Sequence, residues 1–77
     1  MPTVKQIGPY SFRFYASDEH EPPHVHVVRG WQRAKFWLDP VLLADGGKFR
    51  SHELRDIEKL VEGQQAYFLE QWHDYFN

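Results

Sequence analysis

A chain of 77 residues with a net charge of −2 has room for one small domain and lacks the overall positive charge of many nucleic-acid-binding proteins. The absence of cysteine excludes disulfides and thiolate metal sites. No apolar run reaches the length of a membrane span, and the first residues lack the apolar stretch of a signal peptide. We therefore expect a single cytoplasmic domain over residues 1–77. Its aromatic content of 17% provides large rings for a compact core.

The first half of the chain predicts four strands. Thr3–Ile7 is a plausible strand, and Gly8-Pro9 forms the turn into residues 10–15, where polar and aromatic side chains alternate. An acidic loop, residues 16–21, leads to Pro22-Pro23, whose fixed φ angles favour an extended entry into His24–Arg29. Residues 30–32 form a hairpin loop before the strand at 33–38, which Asp39-Pro40 ends.

The rest of the chain reads as a connection followed by a helix. Residues 41–49 include a turn at Asp45-Gly46-Gly47, and the apolar residues of 51–77 recur at spacings of three, four and seven. One sheet and one amphipathic helix each need the other to bury an apolar face. The predicted fold is therefore α+β, with a small antiparallel sheet of about four strands (ββββ) followed by a long C-terminal helix packed on one face.

Alternation along the strands separates two faces of the sheet. Successive side chains of a strand point to opposite sides. One face takes the apolar side chains Phe12, Phe14, Val25, Val27, Ala34, Phe36 and Leu38. The other takes Arg13, Tyr15, His24, His26, Arg33, Lys35 and Trp37. This second face combines cations, aromatic rings and two imidazoles, although a solvated sheet face without any activity is also common.

Three functional readings of that polar face compete. In the first, Arg13, Arg33 and Lys35 neutralise RNA phosphates, Tyr15 and Trp37 stack on bases, and His24 and His26 act as catalytic acid and base. In the second, the two histidines bind a metal with Asp39, Glu21 or His20, although the neighbouring cations oppose a bound cation. We expect no resident cofactor.

The third reading is a protein-binding surface. Its candidate residues are Trp31, Tyr67, Trp72, Tyr75 and Phe76. A continuous helix over residues 51–77 would be about 40 Å long, whereas the strands span about 20 Å. Half of the helix would then lack a sheet beneath it. Either it breaks near Gly63 and folds back, or the overhang packs on a second chain, and the second chain is the favoured alternative.

The helix start also allows two interpretations. With Arg50 as N-cap, Glu53 falls at the third helical position, and Phe49 can contact Leu54 in a hydrophobic staple. With Ser51 as N-cap, the cap gains a hydroxyl acceptor but both of these features are lost. The first register fits the sequence better.

Several of these segments together resemble a known family. They are Met1-Pro2-Thr3-Val4, Gly8 with Tyr10-Ser11-Phe12, Glu21-Pro22-Pro23-His24-Val25-His26-Val27, Ala34-Lys35-Phe36-Trp37-Leu38-Asp39-Pro40-Val41, residues 53–61, and Trp72 with Tyr75-Phe76. The chain resembles the small bacterial and phage-associated proteins of the domain of unknown function 4160 family. The resemblance implies a component of a toxin–antitoxin-like module with a small partner protein from the same operon. It assigns no catalytic residue, and whether the chain is an enzyme stays open. A homodimer or a passive interaction module is the alternative.

Overall fold

The computed structural model describes residues 3–77. Met1 and Pro2, which begin the segments of the family resemblance, lie outside this range. The described chain contains five strands, a short 3₁₀ segment and two helices. The strands are β1 (Thr3–Ile7), β2 (Tyr10–Arg13), β3 (His24–Arg29), β4 (Gln32–Leu38) and β5 (Val41–Asp45). The helices are α1 (Ser51–Gly63) and α2 (Gln65–Phe76), and the 3₁₀ segment is Ala16–His20.

The strands form one antiparallel sheet in which each strand pairs with its neighbour in sequence, in the order β1-β2-β3-β4-β5. The α+β class and the antiparallel sheet are thus confirmed, and β1 and β3 have the predicted bounds. The prediction of four strands is wrong by one. Asp39-Pro40, with a cis peptide bond, connects β4 to β5, and the apolar run from Val41 pairs back along β4. The local sequence pattern indicates only a connection over residues 41–49.

The single long helix is also wrong. Helix α1 ends at Gly63, and Gln64 leaves the helical conformation with φ −114° and ψ 13°. The longest dimension of the molecule is 34 Å, less than the roughly 40 Å that an unbroken helix would need. The break brings Phe68 and Trp72 into the core, where they are 0% and 6% exposed. Burying such a ring contributes about 1.5–3 kcal/mol, whereas one lost backbone hydrogen bond costs about 1 kcal/mol.

The core lies between the sheet and the two helices. All seven residues assigned by alternation to the apolar face are buried: Phe12, Phe14, Val25, Val27, Ala34, Phe36 and Leu38. Phe49, just before α1, Ile57 and Val61 of α1, and Phe68 and Trp72 of α2 complete it. We call this side of the sheet the inner face. None of the helices in residues 3–77 combines the length and the apolar character needed to cross a bilayer.

Candidate functional site

The opposite side of the sheet, which we call the outer face, consists of Arg13, His24, His26, Arg33, Lys35 and Trp37. The strand register brings them together, because His26 pairs with Arg13 of β2 and with Lys35 of β4, and His24 pairs with Trp37. The predicted grouping of these side chains therefore agrees with the register.

Tyr15 joins the outer face although β2 ends two residues before it. Its ring lies 4.6 Å from that of His26, between centroids. Its hydroxyl oxygen accepts a hydrogen bond of 3.4 Å from Nη1 of Arg33. Tyr15 thus connects the loop after β2 with strands β3 and β4.

The three cations of the outer face differ in their surroundings. Lys35 forms an ion pair with Glu21, and its Nζ lies 4.6 Å from the centroid of the Trp37 ring. Arg33 is exposed, whereas Nε of Arg13 is buried without a hydrogen-bond partner among the described residues. The positive charge is therefore only partly neutralised by the protein.

The two histidines were expected side by side on an exposed face, and for His24 this is wrong. His24 is 0% exposed, while the His26 side chain keeps 23% of its surface. The His24 ring contacts the rings of His26, Trp37 and Trp72 at centroid distances of 5.0, 5.6 and 5.2 Å. It is buried because aromatic side chains from β4 and α2 pack around the ring at this end of the sheet.

Asp18 is the residue that sequence reasoning missed. The sequence indicates only an acidic loop here, but Asp18 is 6% exposed and lies against both histidines. Its Oδ1 is 3.2 Å from Nε2 of His24, and its Oδ2 is 3.1 Å from Nε2 of His26. The backbone N–H of Tyr15 donates to Oδ2 at 2.8 Å. An acidic residue three positions after a residue entering a helical turn is a capping pattern, and this signal could have indicated Asp18.

The charges of this cluster influence one another. Burial alone would raise the pKa of Asp18, but the Tyr15 amide and the interactions with His26 and His24 outweigh it and lower that pKa below its ordinary value. Burial lowers the pKa of His26 and outweighs the opposing effect of Asp18, while His24 and Lys35 lower it further. The cluster therefore favours an ionised carboxylate beside a neutral His26 ring.

The fold brings together only some of the predicted metal ligands. Within residues 3–77, the potential ligand atoms of Asp18, His24 and His26 all lie within 4.8 Å of one another. Asp39 is exposed in the turn after β4 and does not belong to this group. Glu21 instead pairs with Lys35, and His20 is exposed at the end of the 3₁₀ segment.

The predicted partner-binding residues lie in different surroundings. Trp31 is 73% exposed in the turn between β3 and β4, and Tyr67 and Tyr75 are 37% and 38% exposed. Phe76 is partly buried against the core, and Trp72 is inside it. The unsupported overhang that motivated the interface does not exist, because α2 packs on the core of its own chain.

A family model described as "Domain of unknown function (DUF4160)" matches residues 10–73, which include β2 to β5, α1 and most of α2. No curated protein and no solved structure matches the chain. The match covers more than half of the chain and includes Asp18, His24 and His26. The chain therefore belongs to the DUF4160 family.

Proposed function

We propose that this protein binds RNA through the outer face, as one component of a toxin–antitoxin-like pair. The observation that supports RNA binding is the grouping of Arg13, Arg33 and Lys35 with the rings of Tyr15 and Trp37 on the side of the sheet away from the core. Cations that neutralise phosphates, combined with rings that stack on bases, are the common elements of single-strand recognition on a sheet.

Phosphate groups can reach two of these cations. Arg33 is exposed, and its contact with the Tyr15 hydroxyl is a long hydrogen bond of 3.4 Å, so its remaining donors are available. Lys35 is paired with Glu21, whose carboxylate is about half exposed. A surface ion pair of this kind contributes only about 0–1 kcal/mol, so a phosphate can replace Glu21 at little cost.

The aromatic rings of the outer face supply the second element. Tyr15 and Trp37 are both partly buried and partly accessible. Each ring is already oriented by a neighbour, Tyr15 by His26 and Trp37 by Lys35 and His24. Because their orientation is fixed before binding, a stacked base loses less free energy to side-chain ordering.

The proposal is limited to binding. A general acid or base must come within hydrogen-bond distance of the proton that it transfers. His24 has no exposed surface, so an RNA substrate does not reach it in this arrangement. We therefore do not include RNA cleavage by a His24/His26 pair.

The test is RNA affinity, measured by fluorescence anisotropy with a labelled single-stranded RNA at two salt concentrations. We expect Arg33→Ala combined with Lys35→Ala to weaken binding at least about tenfold and to reduce the salt slope by about 1.4. The matched control removes the same charges from the exposed surface of α1, by Arg55→Ala combined with Lys59→Ala, and should change affinity less than twofold. Equal losses in both double variants, or no binding at low salt, would contradict the proposal.

The toxin–antitoxin component is tested separately. Induction of this protein alone should arrest growth, and co-expression of the protein encoded beside it should relieve the arrest. The Arg33/Lys35 double variant should fail to arrest growth while it still accumulates as folded protein. Unchanged growth with the wild-type chain would contradict the toxin role. RNA binding would still be tested by the affinity measurement.

A second candidate function, a passive protein-interaction module, is favoured by one observation. Strand β5 lies at the edge of the sheet, and its Leu42 and Leu43 are 53% and 45% exposed. Beside it, a groove of about 180 Å³ lies between the sheet and α1, and Leu43, Phe36 and Leu54 contribute to its wall. Exposed apolar edge strands pair with further strands. Light scattering on the chain alone and with its operon neighbour should show a complex that Leu43→Lys abolishes, and a monomer in both samples would contradict this function.

A further inference from the structure

The cluster of Asp18, His24 and His26 has the features of a metal site. The 3₁₀ segment supplies the carboxylate, and β3 supplies both imidazoles. Pro22-Pro23 separates the carboxylate from the two imidazoles in the chain. The three groups meet at the buried end of the outer face.

The protonation of His24 is determined by its backbone contact. Its Nδ1 lies 2.9 Å from the carbonyl oxygen of Pro22. A carbonyl oxygen can only accept, so Nδ1 carries a hydrogen and Nε2 is the ring nitrogen that is left to bind a metal. A backbone carbonyl that binds the other ring nitrogen is the usual support of a metal-binding histidine.

The Nε2 atom of His24 is buried and has no hydrogen-bond partner among the residues that the structure describes. It lies 3.2 Å from Oδ1 of Asp18, but the angles at this contact are not those of a hydrogen bond. An unpaired buried polar atom costs about 1–3 kcal/mol. A cation bound by both atoms would give the His24 nitrogen a partner.

The separations between the Asp18 carboxylate and the two histidines are also close to those around one shared ion. Zinc binds imidazole nitrogen and carboxylate oxygen at about 2.0–2.2 Å, so tetrahedral ligand atoms lie about 3.3–3.6 Å apart. The contacts from Asp18 to the two histidines, 3.2 and 3.1 Å, need only a small expansion to reach this range. The Tyr15 amide holds the carboxylate in place from the other side.

The charges agree with a divalent ion. Two neutral imidazoles and one carboxylate carry a single negative charge, and this donor set suits zinc, iron(II) and nickel(II). The nearby cations were the sequence argument against a metal. In the structure the Lys35 ammonium is paired with Glu21 and lies over Trp37, and Arg33 is oriented toward the Tyr15 hydroxyl. The Lys35 charge is thus partly offset by the Glu21 carboxylate, and the Arg33 guanidinium is engaged by a neutral hydroxyl.

We propose that Asp18, His24 and His26 bind one divalent transition-metal ion, with zinc as the probe, and that the ion has a structural role. The deep burial of Asp18 and His24 supports this role, because two of the three ligands are closed to a substrate. A water molecule on the more exposed His26 side would complete the four ligands of a tetrahedral ion. The bound ion joins the 3₁₀ segment to β3. This inference does not depend on RNA binding.

The test is zinc titration of untagged, chelator-treated protein, followed by calorimetry and elemental analysis. We expect about one equivalent of zinc and a rise in Tm of at least about 5 °C. Asp18→Asn keeps an oxygen acceptor for the Tyr15 amide but loses the charge. Loss of a contact that only supports a metal ligand weakens metal binding by about 10–100-fold. Asp18→Asn should weaken zinc binding by more than this. Asp39→Asn, a matched change at an exposed aspartate, should bind zinc like the wild type.

A second variant distinguishes the loss of a metal ligand from misfolding. His26→Gln alters the most exposed of the three groups and should also lose zinc while its circular dichroism spectrum stays native. Less than about 0.2 equivalents on the wild-type chain, or equal affinities of the Asp18→Asn and Asp39→Asn variants, would overturn the proposal. The RNA measurement would be unaffected by this outcome, since it uses Arg33 and Lys35.

Discussion

The two faces of the sheet are built by different kinds of interaction. The inner face consists of apolar side chains that are buried beneath α1 and α2. The outer face is formed mainly by charged, aromatic and imidazole side chains, and the 3₁₀ segment covers its end through Asp18. Both faces come from the same alternating strands, so the strand pattern alone does not explain their difference.

The difference shows which of the two faces can be predicted from strand alternation. Burial of apolar area is non-directional, so any side chain on the inner side of a strand adds to one continuous core. Hydrogen bonds and ion pairs depend on distance and angle, so the outer face depends on where the loops place their polar atoms. Asp18 contributes to the outer face through such a loop, although no strand contains it.

Adjacent residues of β4 offer the strongest contrast between the faces. Phe36 is 0% exposed on the inner face, and its replacement by alanine should lower the free energy of unfolding by about 3–5 kcal/mol. Trp37 is half-buried on the outer face, and Trp37→Ala should cost less than about half as much. Urea denaturation followed by circular dichroism measures both. Equal losses would show that the outer face belongs to the core.

The outer face can be examined through Asp18. In the presence of a chelator, Asp18→Ala leaves the Tyr15 amide and Nε2 of His26 without their hydrogen-bond partner, and should destabilise the fold by about 1–3 kcal/mol. Glu19→Ala, at the exposed neighbouring position, should stay within about 0.5 kcal/mol of the wild type. A neutral Asp18→Ala would instead indicate a solvated face beneath a passive loop.

The next contrast is at the start of α1, one of the two helices that cover the inner face. The predicted register is confirmed, since Arg50 is the N-cap and the N–H of Leu54 donates to its carbonyl oxygen at 2.9 Å. The Arg50 side chain makes no capping hydrogen bond. Arg50→Ser should therefore raise stability by about 1 kcal/mol in thermal melts. Ser51→Ala, within the first turn, serves as the control, and a loss of about 1 kcal/mol from that change would instead indicate that Ser51 is the cap.

The smallest expected effect is a pH dependence at the same helix end. The hydrogen bond from the Tyr10 hydroxyl, followed by the Arg29 guanidinium, outweighs burial and lowers the pKa of Glu53. The folded-state pKa lies below the unfolded value of about 4.3, so this contribution is present above that pH and is lost as the pH falls. Glu53→Gln should show a smaller loss of Tm than the wild type between roughly pH 5 and 3.

The control for this titration is Glu62→Gln, at an exposed position near the end of α1. It should keep the acid sensitivity of the wild type. If Glu53→Gln and Glu62→Gln give the same profile, the contacts with Tyr10 and Arg29 do not contribute to acid stability.

The sequence predicted the inner face well because one short-range rule determines it. Alternation identified Phe12, Val25 and Phe36 as core residues, and helical spacing identified Ile57 and Phe68 as the apolar stripe. These patterns depend on residues that are close in the chain. Gly63 also marked the region of the helix break, but the reason for the break at Gln64 is the burial of Phe68 and Trp72.

The remaining features depend on contacts between distant parts of the chain. Val41 and its neighbours form a strand because β4 offers a free edge beside them, which the local pattern does not show. The burial of His24 depends on Trp72, nearly fifty positions away in the sequence. Asp18 reaches the imidazoles through the path of a short 3₁₀ segment. Only their relation in space gives these residues their roles.

The order of the strands has a consequence for the folding pathway. Since every strand pairs with the next one in the chain, the sheet can grow hairpin by hairpin, with two-residue turns at three of the four connections and a longer loop, residues 14–23, between β2 and β3. The ring contacts of Phe12 with Phe68 and of Phe14 with Trp72 instead join opposite ends of the chain. We therefore expect α2 to dock after the rate-limiting step. Phe68→Leu should accelerate unfolding in stopped-flow kinetics while the refolding rate changes little.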